Sequence, residues 1–271
     1  MQKKILIVDD HDDLKSALMK VFNEIGYFVK TTDSRKEAVE LDKSGDFDLV
    51  ITDLNGDKAF PKDNAADNND TCLPTEDTEE FDRSFVKAFK ICATNFRREN
   101  FDEAELKNLF ETVLNYKAQF VDKTNTIKHI REKIEFEFPS AISLMHSILD
   151  YLMKRVEKNS IVDAENSNLF IALDEAFVNA IKHGNKFDAN KIVRISAEVS
   201  SKEARFTIED EGEGFNVAEI PDPTNPENLF KASGRGVLII HNIMDEVSYN
   251  KRGNRLTMIK KSKVQCPKSN V

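Results

Sequence analysis

Glu175 and Asn179 stand four residues apart in the segment Leu173-Asp-Glu-Ala-Phe-Val-Asn-Ala-Ile-Lys-His-Gly-Asn185. That spacing puts a carboxylate and an amide on one face of a helix. An amide oxygen can complete the shell of a Mg²⁺ ion already held by phosphates, because that ion takes few protein ligands in an octahedral arrangement. A carboxylate beside a terminal phosphate can orient a hydroxyl nucleophile or take its proton, an effect of about 10²–10⁴-fold in rate. Downstream, Asp210-Glu-Gly-Glu-Gly-Phe215 follows the β-prone run Arg205-Phe-Thr-Ile208. Asp210 is therefore expected at a strand end, where its carboxylate can accept a hydrogen bond from an adenine amino group. Gly212 and Gly214 let the backbone approach a flat base without a Cβ clash. Gly234-Arg-Gly236 then precedes the apolar run Val237-Leu-Ile-Ile240. This is the pattern of a glycine-rich loop opening a helix whose exposed amides favour phosphate. Arg235 either adds charge there or faces solvent. A Glu and an Asn on a helix would alone be solvated surface, and an isolated acidic turn is common. In this order, between Glu175 and Gly236, they predict a nucleotide site.

The set resembles the ATP site of the GHKL ATPases, and its wording is closest to the anti-sigma-factor serine kinases. The resemblance covers roughly 132–261 and includes the ending His183-Gly-Asn185. It implies ATP and Mg²⁺ as cofactors, Glu175 as catalytic base, Asn179 as Mg²⁺ ligand and Asp210 as adenine acceptor. Gly212, Gly214, Gly234, Arg235 and Gly236 would complete the cofactor site. Only 19 residues separate Gly214 from Gly234, a short lid beside those of many sensor histidine kinases. His183 is expected to help end its helix rather than to catalyse.

A second acidic set lies near the N-terminus. Ile5-Leu-Ile-Val-Asp-Asp-His11 and Leu49-Val-Ile-Thr-Asp-Leu54 resemble the first and third strands of two-component receiver domains. The resemblance implies that Asp9 and Asp10 bind Mg²⁺ and that Asp53 accepts phosphate, the cation offsetting charge on the incoming group. The rest of a receiver is missing, and no Lys follows a β-run in 55–128 to pair with the phosphate. Either Asp53 accepts phosphate weakly, or a truncated receiver serves docking or dimerisation. The half-sheet also leaves an open edge that the following segment or another chain must cover.

The positioning elements follow from pattern. Residues 4–8 read as a buried parallel strand, Leu14 to Ile25 as a helix closed by Gly26, 27–31 as a strand, 34–44 as a helix and 49–52 as a third strand. Alternation of this kind implies an α/β receiver-like unit over 1–54. Residues 55–78 form an Asn/Asp-rich linker, with eight Asn or Asp between 55 and 76, too polar to build a core. Phe81, Phe85, Ala88, Phe89, Cys92 and Phe96 suggest one helix stripe. Asp102 is a plausible N-cap for another carrying Leu106, Leu109, Phe110, Val113, Leu114 and Phe120. Together they predict a helical hairpin over 79–128, either a packing element or a homodimer or partner surface. Residues 132–261 fit a sandwich with helices on one face of a mixed sheet, the GHKL-type α/β sandwich that the resemblance implies. The expected elements are a strand at 134–138, helices at 141–157 and 165–182, strands near 191–199 and 203–209, and a hairpin of 246–250 and 254–260 turned at Arg252-Gly253. Residues 262–271 read as a frayed tail. The fold class expected is thus α/β and α+β together.

Composition bounds the rest. The chain has 271 residues and a net charge of −9, enough length for two cores and a balance that disfavours direct nucleic-acid binding. No apolar run approaches the roughly 20 residues that cross a bilayer, and the N-terminal segment turns acidic too soon for a signal peptide. Cys72, Cys92 and Cys266 are scattered, fitting a reduced cytoplasm with no disulfide framework. The favoured function is an ATP-dependent serine/threonine kinase. By resemblance it would act on a STAS-type anti-anti-sigma protein and hold a sigma factor or other regulator in turn. The alternatives are a non-catalytic module that uses ATP only to capture a partner, and a sensor histidine kinase. The last is weak: His129 is followed by Ile where an acidic residue is usual, and His146 sits in an apolar helix pattern that suggests partial burial.

Overall fold

A computed structural model describes residues 2–12, 14–43, 45–56, 72–73, 86–96, 101–121, 131–162, 168–217 and 235–262. Its centre is one mixed sheet of nine strands. In chain order these are β1 (Lys4–Asp9), β2 (Phe28–Thr32), β3 (Leu49–Asn55), β4 (Val86–Cys92), β5 (Arg131–Pro139), β6 (Ile192–Val199), β7 (Glu203–Asp210), β8 (Glu246–Tyr249) and β9 (Arg255–Lys261). Across the sheet they run β2-β1-β3-β4-β5-β6-β7-β9-β8.

The receiver-like half obeys its pattern. β1 pairs in parallel with β2 and β3, and its register sets Asp9 beside Asp53. Helix α1 (Lys15–Ile25) buries Leu18 and Phe22 on one face of the sheet and is closed by Gly26 at φ +105°, a left-handed cap. Helix α2 (Arg35–Asp42), capped by the Ser34 side chain accepting from Glu37 N–H, lies on the other face. Such double coverage explains the unbroken apolar run of β1.

The expected hairpin over 79–128 is corrected in its first half. Residues 86–92 are a strand, β4, antiparallel to β3 and parallel to β5. Ala88 and Cys92 join the smaller core with α2, while Phe89 and Ile91 join the larger one. With both faces covered, no polar alternation marked the strand, and Ala88, Phe89 and Cys92 mimicked helical spacing. Phe81 and Phe85 lie outside the described residues, as does most of the 55–78 linker. β4 covers the open edge of β3, so this part of 79–128 is a packing element inside the sheet. The second half is helical as expected. In α3 (Glu103–Tyr116) the Asp102 carboxylate caps Ala104 and Glu105 N–H, and Leu106, Leu109, Phe110, Val113 and Leu114 are buried. Each such side chain contributes about 1.5–3 kcal/mol by leaving water. A π-helical turn, Lys117–Val121, extends it.

Helix α3 braces the two halves. Glu105 accepts from Lys3 and from the Tyr27 hydroxyl in the receiver-like half, at 2.7 and 2.8 Å. Glu103 accepts from Ser143 N–H and Glu111 from Ser147 Oγ, both at 3.0 Å, at the start of α4 (Met145–Lys158). One continuous apolar cluster runs from Ile5 and Phe22 through Phe110 and Phe136 to Phe177.

The C-terminal half is the expected sandwich. α4, α5 (Leu169–Val178) and α6 (Arg235–Ile243) contribute to the core on one sheet face. On β6 and β7 apolar residues alternate with Arg194, Ser196, Glu198, Glu203, Arg205, Thr207 and Glu209, the signature of a sheet with one wet face. The closing β8–β9 hairpin turns through Gly253 at φ +80°. No helix among the described residues is long and apolar enough to cross a membrane. The cysteine expectation is also corrected. Cys72 and Cys92, 5.4 Å apart at Cα, form a disulfide that ties the β3–β4 connection to β4; the 20-residue separation carried no spacing motif that could have announced it. Of the 262–271 tail only Ser262 is described.

Candidate nucleotide site

α5 owes its orientation to Leu169, Ala172, Leu173, Ala176 and Phe177, all buried. Glu175 and Asn179 sit off this stripe and are only partly buried, as their spacing predicts. At Asn179 the helix widens into a π-helical turn, Asn179–Gly184, a distortion frequent at functional sites. α6 crosses here at Gly236: a Cβ on that residue would lie 2.5 Å from Glu175 Oε2 and 3.5 Å from Asn179 Nδ2. Glycine is what lets the first turn of α6 reach both side chains. Arg235 is the first residue of α6, while its side chain, Gly234 and the segment 218–234 lie outside the described residues. His183, at the end of the π turn, is exposed.

At the other end of that turn stands Asp210, the last residue of β7. Its Oδ1 accepts from Gly212 N–H at 2.8 Å. A Cβ on Gly184 or Gly212 would overlap the Asp210 carboxyl, so the two glycines leave a bare backbone cradle about it. Burial raises the Asp210 pKa above its ordinary value, and the Gly212 amide offsets part of that cost. Gly214 has φ +77°, and a side chain there would collide with the Arg252 carbonyl. The structure thus brings Glu175, Asn179 and Gly236 together, and Asp210, Gly212 and Gly214 together, with the short turn 179–184 joining the two groups. A half-buried carboxylate in a cradle free of side chains suits a flat base with an amino group. An amide beside a carboxylate under a helix start suits a phosphate-bound Mg²⁺ ion.

Three residues that pattern reading left without a role support the turn. Asn185, with no exposed surface, accepts from Glu211 N–H at 2.8 Å and donates to Ser140 Oγ and the Ile192 carbonyl. Asn254 donates to the Asp210 carbonyl at 2.7 Å, and Arg252 to the Gly212 carbonyl at 2.7 Å. Asn185 could have been flagged by its place in His183-Gly-Asn185; nothing in the sequence signals the other two.

The receiver-like acids have a different geometry. Asp9 lies beside Asp53 in the sheet, but its oxygens accept from the N–H groups of His11, Leu14 and Lys15. Asp10 accepts from the backbone and side chain of Asn55. Asp53 is 4 % exposed, and its Oδ2 meets Lys117 Nζ at 2.6 Å and Lys87 Nζ at 3.9 Å. Lys117, 1 % exposed, also lies over the Phe89 ring at 4.8 Å. The pairing cations absent from the sequence pattern therefore exist, one on β4 and one just beyond α3. Burial pushes the Asp53 pKa up and the two lysines pull it down. Among the described residues no set of three His, Cys, Asp or Glu converges in a metal-binding arrangement. Of the two histidines weighed as phosphoacceptors, His129 lies outside the described residues. His146 is exposed rather than partly buried, edge-on to Phe170, while Ile148, Leu149 and Leu152 of the same helix are buried.

Comparison with known proteins matches this layout. Residues 138–260 fit the histidine kinase-like ATPase domain and residues 5–57 the response regulator receiver domain. An anti-sigma F factor of Geobacillus stearothermophilus is 35% identical over 108 residues, 38% of this chain and 73% of that protein. One from Geobacillus sp. (strain WCH70) is 38% identical over 112 residues, covering 38% and 75%. Another, from Clostridium perfringens, is 34% identical over 104 residues, covering 36% and 73%. The chain belongs to the anti-sigma F factor family of GHKL-type ATPase domains and carries a receiver-type segment ahead of that domain.

Proposed function

We propose that the protein is an ATP-dependent serine/threonine kinase and partner switch. Its substrate would be a STAS-type anti-anti-sigma protein, and a sigma factor or other regulator would be the second partner. The observation that carries this reading is the close approach of Gly236, at the start of α6, to the Glu175 carboxylate and the Asn179 amide, which supports a shared role for the two side chains beside a helix start. Bound MgATP would supply the transferable phosphoryl group. Asn179 would give the ion its protein oxygen, and the cradle of Asp210, Gly184 and Gly212 would hold the base. Glu175 would take the proton from a seryl or threonyl hydroxyl of the partner. These partners place the protein in the cytoplasm.

For the receiver-like half the reading is structural. Asp53 is buried and held by Lys117 and Lys87, and Asp9 serves as a cap for the start of α1, so the segment acts as a docked extension of the ATPase sheet rather than as a phosphoacceptor. A homodimer would have to use surfaces other than β4.

Calorimetric titration with MgATP tests the site, wild type beside Asp210→Asn, with phosphate transfer to STAS proteins measured on the same samples. Binding by the wild type that Asp210→Asn weakens at least tenfold, with phosphoserine or phosphothreonine formed on the partner, is the expected result. A folded wild type that binds no MgATP ends the kinase reading. Binding without transfer to any partner leaves a nucleotide-dependent capture module.

A further inference from the structure

We propose that Asn185 and Asn254 are positioning residues that aim the Asp210 carboxylate, and so set selectivity for the 6-amino group of the base. The inference rests on the nucleotide-site reading and names the residues through which Asp210 would act.

Asp210 ends β7 and is followed by glycine-rich chain, where a carboxylate would ordinarily swing. Here the backbone on both sides of it is held. Its N–H donates to the Asn254 carbonyl at 3.0 Å, and its own carbonyl accepts from Asn254 Nδ2 at 2.7 Å. The next N–H, of Glu211, donates to Asn185 Oδ1 at 2.8 Å. The Glu211 side chain is pinned as well, accepting from Ile192 N–H at 2.9 Å and from Arg194 at 3.0 Å. The two amides approach from different elements. Asn185 follows the π turn that begins at Asn179, and its N–H closes that turn on the Ala180 carbonyl at 2.8 Å. Asn254 sits on the β8–β9 hairpin, where Asn250 Nδ2 donates to its Oδ1 at 3.0 Å. Each amide uses both donor and acceptor functions, so neither can rotate without orphaning a buried partner.

A rigid bracket of this kind has a definite chemical use. A hydrogen bond read from one side chain discriminates only if the side chain cannot retreat from a base that lacks the donor. Fixing the backbone of Asp210 from both sides fixes its Cα–Cβ direction, and the Gly212 N–H bond to Oδ1 then holds the carboxylate, leaving Oδ2 to meet the base. Asn185 also ties this end of the cleft to the Asn179 end through a single turn of chain, which makes base reading and metal binding geometrically dependent.

The test compares affinities for ATP and for purine riboside triphosphate, which lacks the 6-amino group, in the wild type, Asn185→Ala and Asn254→Ser. Positioning predicts that ATP affinity falls about tenfold in each variant. Affinity for the analogue would barely move, so the preference for ATP would shrink toward that of Asp210→Asn. Equal losses for both nucleotides would make the two residues merely structural, and unchanged affinities would also overturn the idea. Asn254→Ser decides the matter if Asn185→Ala does not fold. A wild type that binds neither nucleotide fails at the earlier step and shows that the site itself was misread.

Discussion

Asp53 and Asp210 both lie at or near the C-terminal end of a strand of the same sheet, and burial raises the pKa of both. They differ in what compensates them. Asp53 faces two buried lysines and is sealed, whereas Asp210 has one backbone amide, a cradle of glycines and partial exposure. A strand-end aspartate can thus be either a counter-ion or a reader of ligands. The decision lies in whether its neighbours supply charge or supply space. In the receiver-type segment the neighbours come from β4 and the turn after α3, elements that also pack the sheet. In the ATPase domain they come from turns held by side-chain amides.

The comparison breaks if the two regions prove to be one machine. Glu175→Gln is expected to have the largest effect, cutting phosphate transfer to the partner by about 10²–10⁴-fold while MgATP binding by calorimetry persists. Asp53→Asn should leave transfer per folded molecule unchanged. A loss of transfer in Asp53→Asn comparable to that of Glu175→Gln would mean that the receiver-type acid takes part in catalysis.

A second expectation sharpens the structural side. Lys117→Met removes the nearer cation from a buried carboxylate, and breaking such a pair costs about 3–5 kcal/mol. Urea unfolding should show that loss in the single variant. Most of it should return in Asp53→Leu/Lys117→Met, where neither charge remains. A single variant within about 1 kcal/mol of wild type would show that the pair does not hold the two halves together.

How much of this was legible follows the same division. The spacing of Glu175 and Asn179 showed because a surface helix keeps its ligand face free of core residues, and Asp210 showed because it ends an alternating strand. β1 and β3 were readable as unbroken apolar runs. β4 was not, because a strand covered on both faces places Ala88, Phe89 and Cys92 at a spacing that a helix also uses. Lys117 was invisible for another reason. It lies 64 residues from Asp53, on a helix that reaches the receiver-type pocket only through the packing of α3 across both halves. Asn254 and Arg252 act on the Asp210 turn from a hairpin whose own pattern reveals only its turn.

The smallest effect separates the two aspartates by pH. Burial sets the folded-state pKa of Asp210 above its ordinary 3.8, so the folded chain holds that proton more tightly than the unfolded chain does. Below about pH 3.8 both states carry the proton and burial costs nothing. As pH rises through the raised pKa the folded state must ionise a half-buried group, and the cost is complete above it. Asp210→Asn should therefore raise the melting temperature of the nucleotide-free protein slightly at neutral pH, since solvent screens a half-buried group. The gain should shrink as pH falls toward 4, and the same variant should lose ATP affinity. Burial raises the Asp53 pKa as well, but a neutral residue there leaves Lys117 and Lys87 buried without this counter-charge. That loss outweighs the relief of an uncharged side chain, so Asp53→Asn should lower the melting temperature at neutral pH. Thermal unfolding of both variants across pH 4–8 checks the pair of signs. If Asp210→Asn also destabilised at pH 7, the carboxylate would be holding its turn together, and the division between a counter-ion and a reader would not stand.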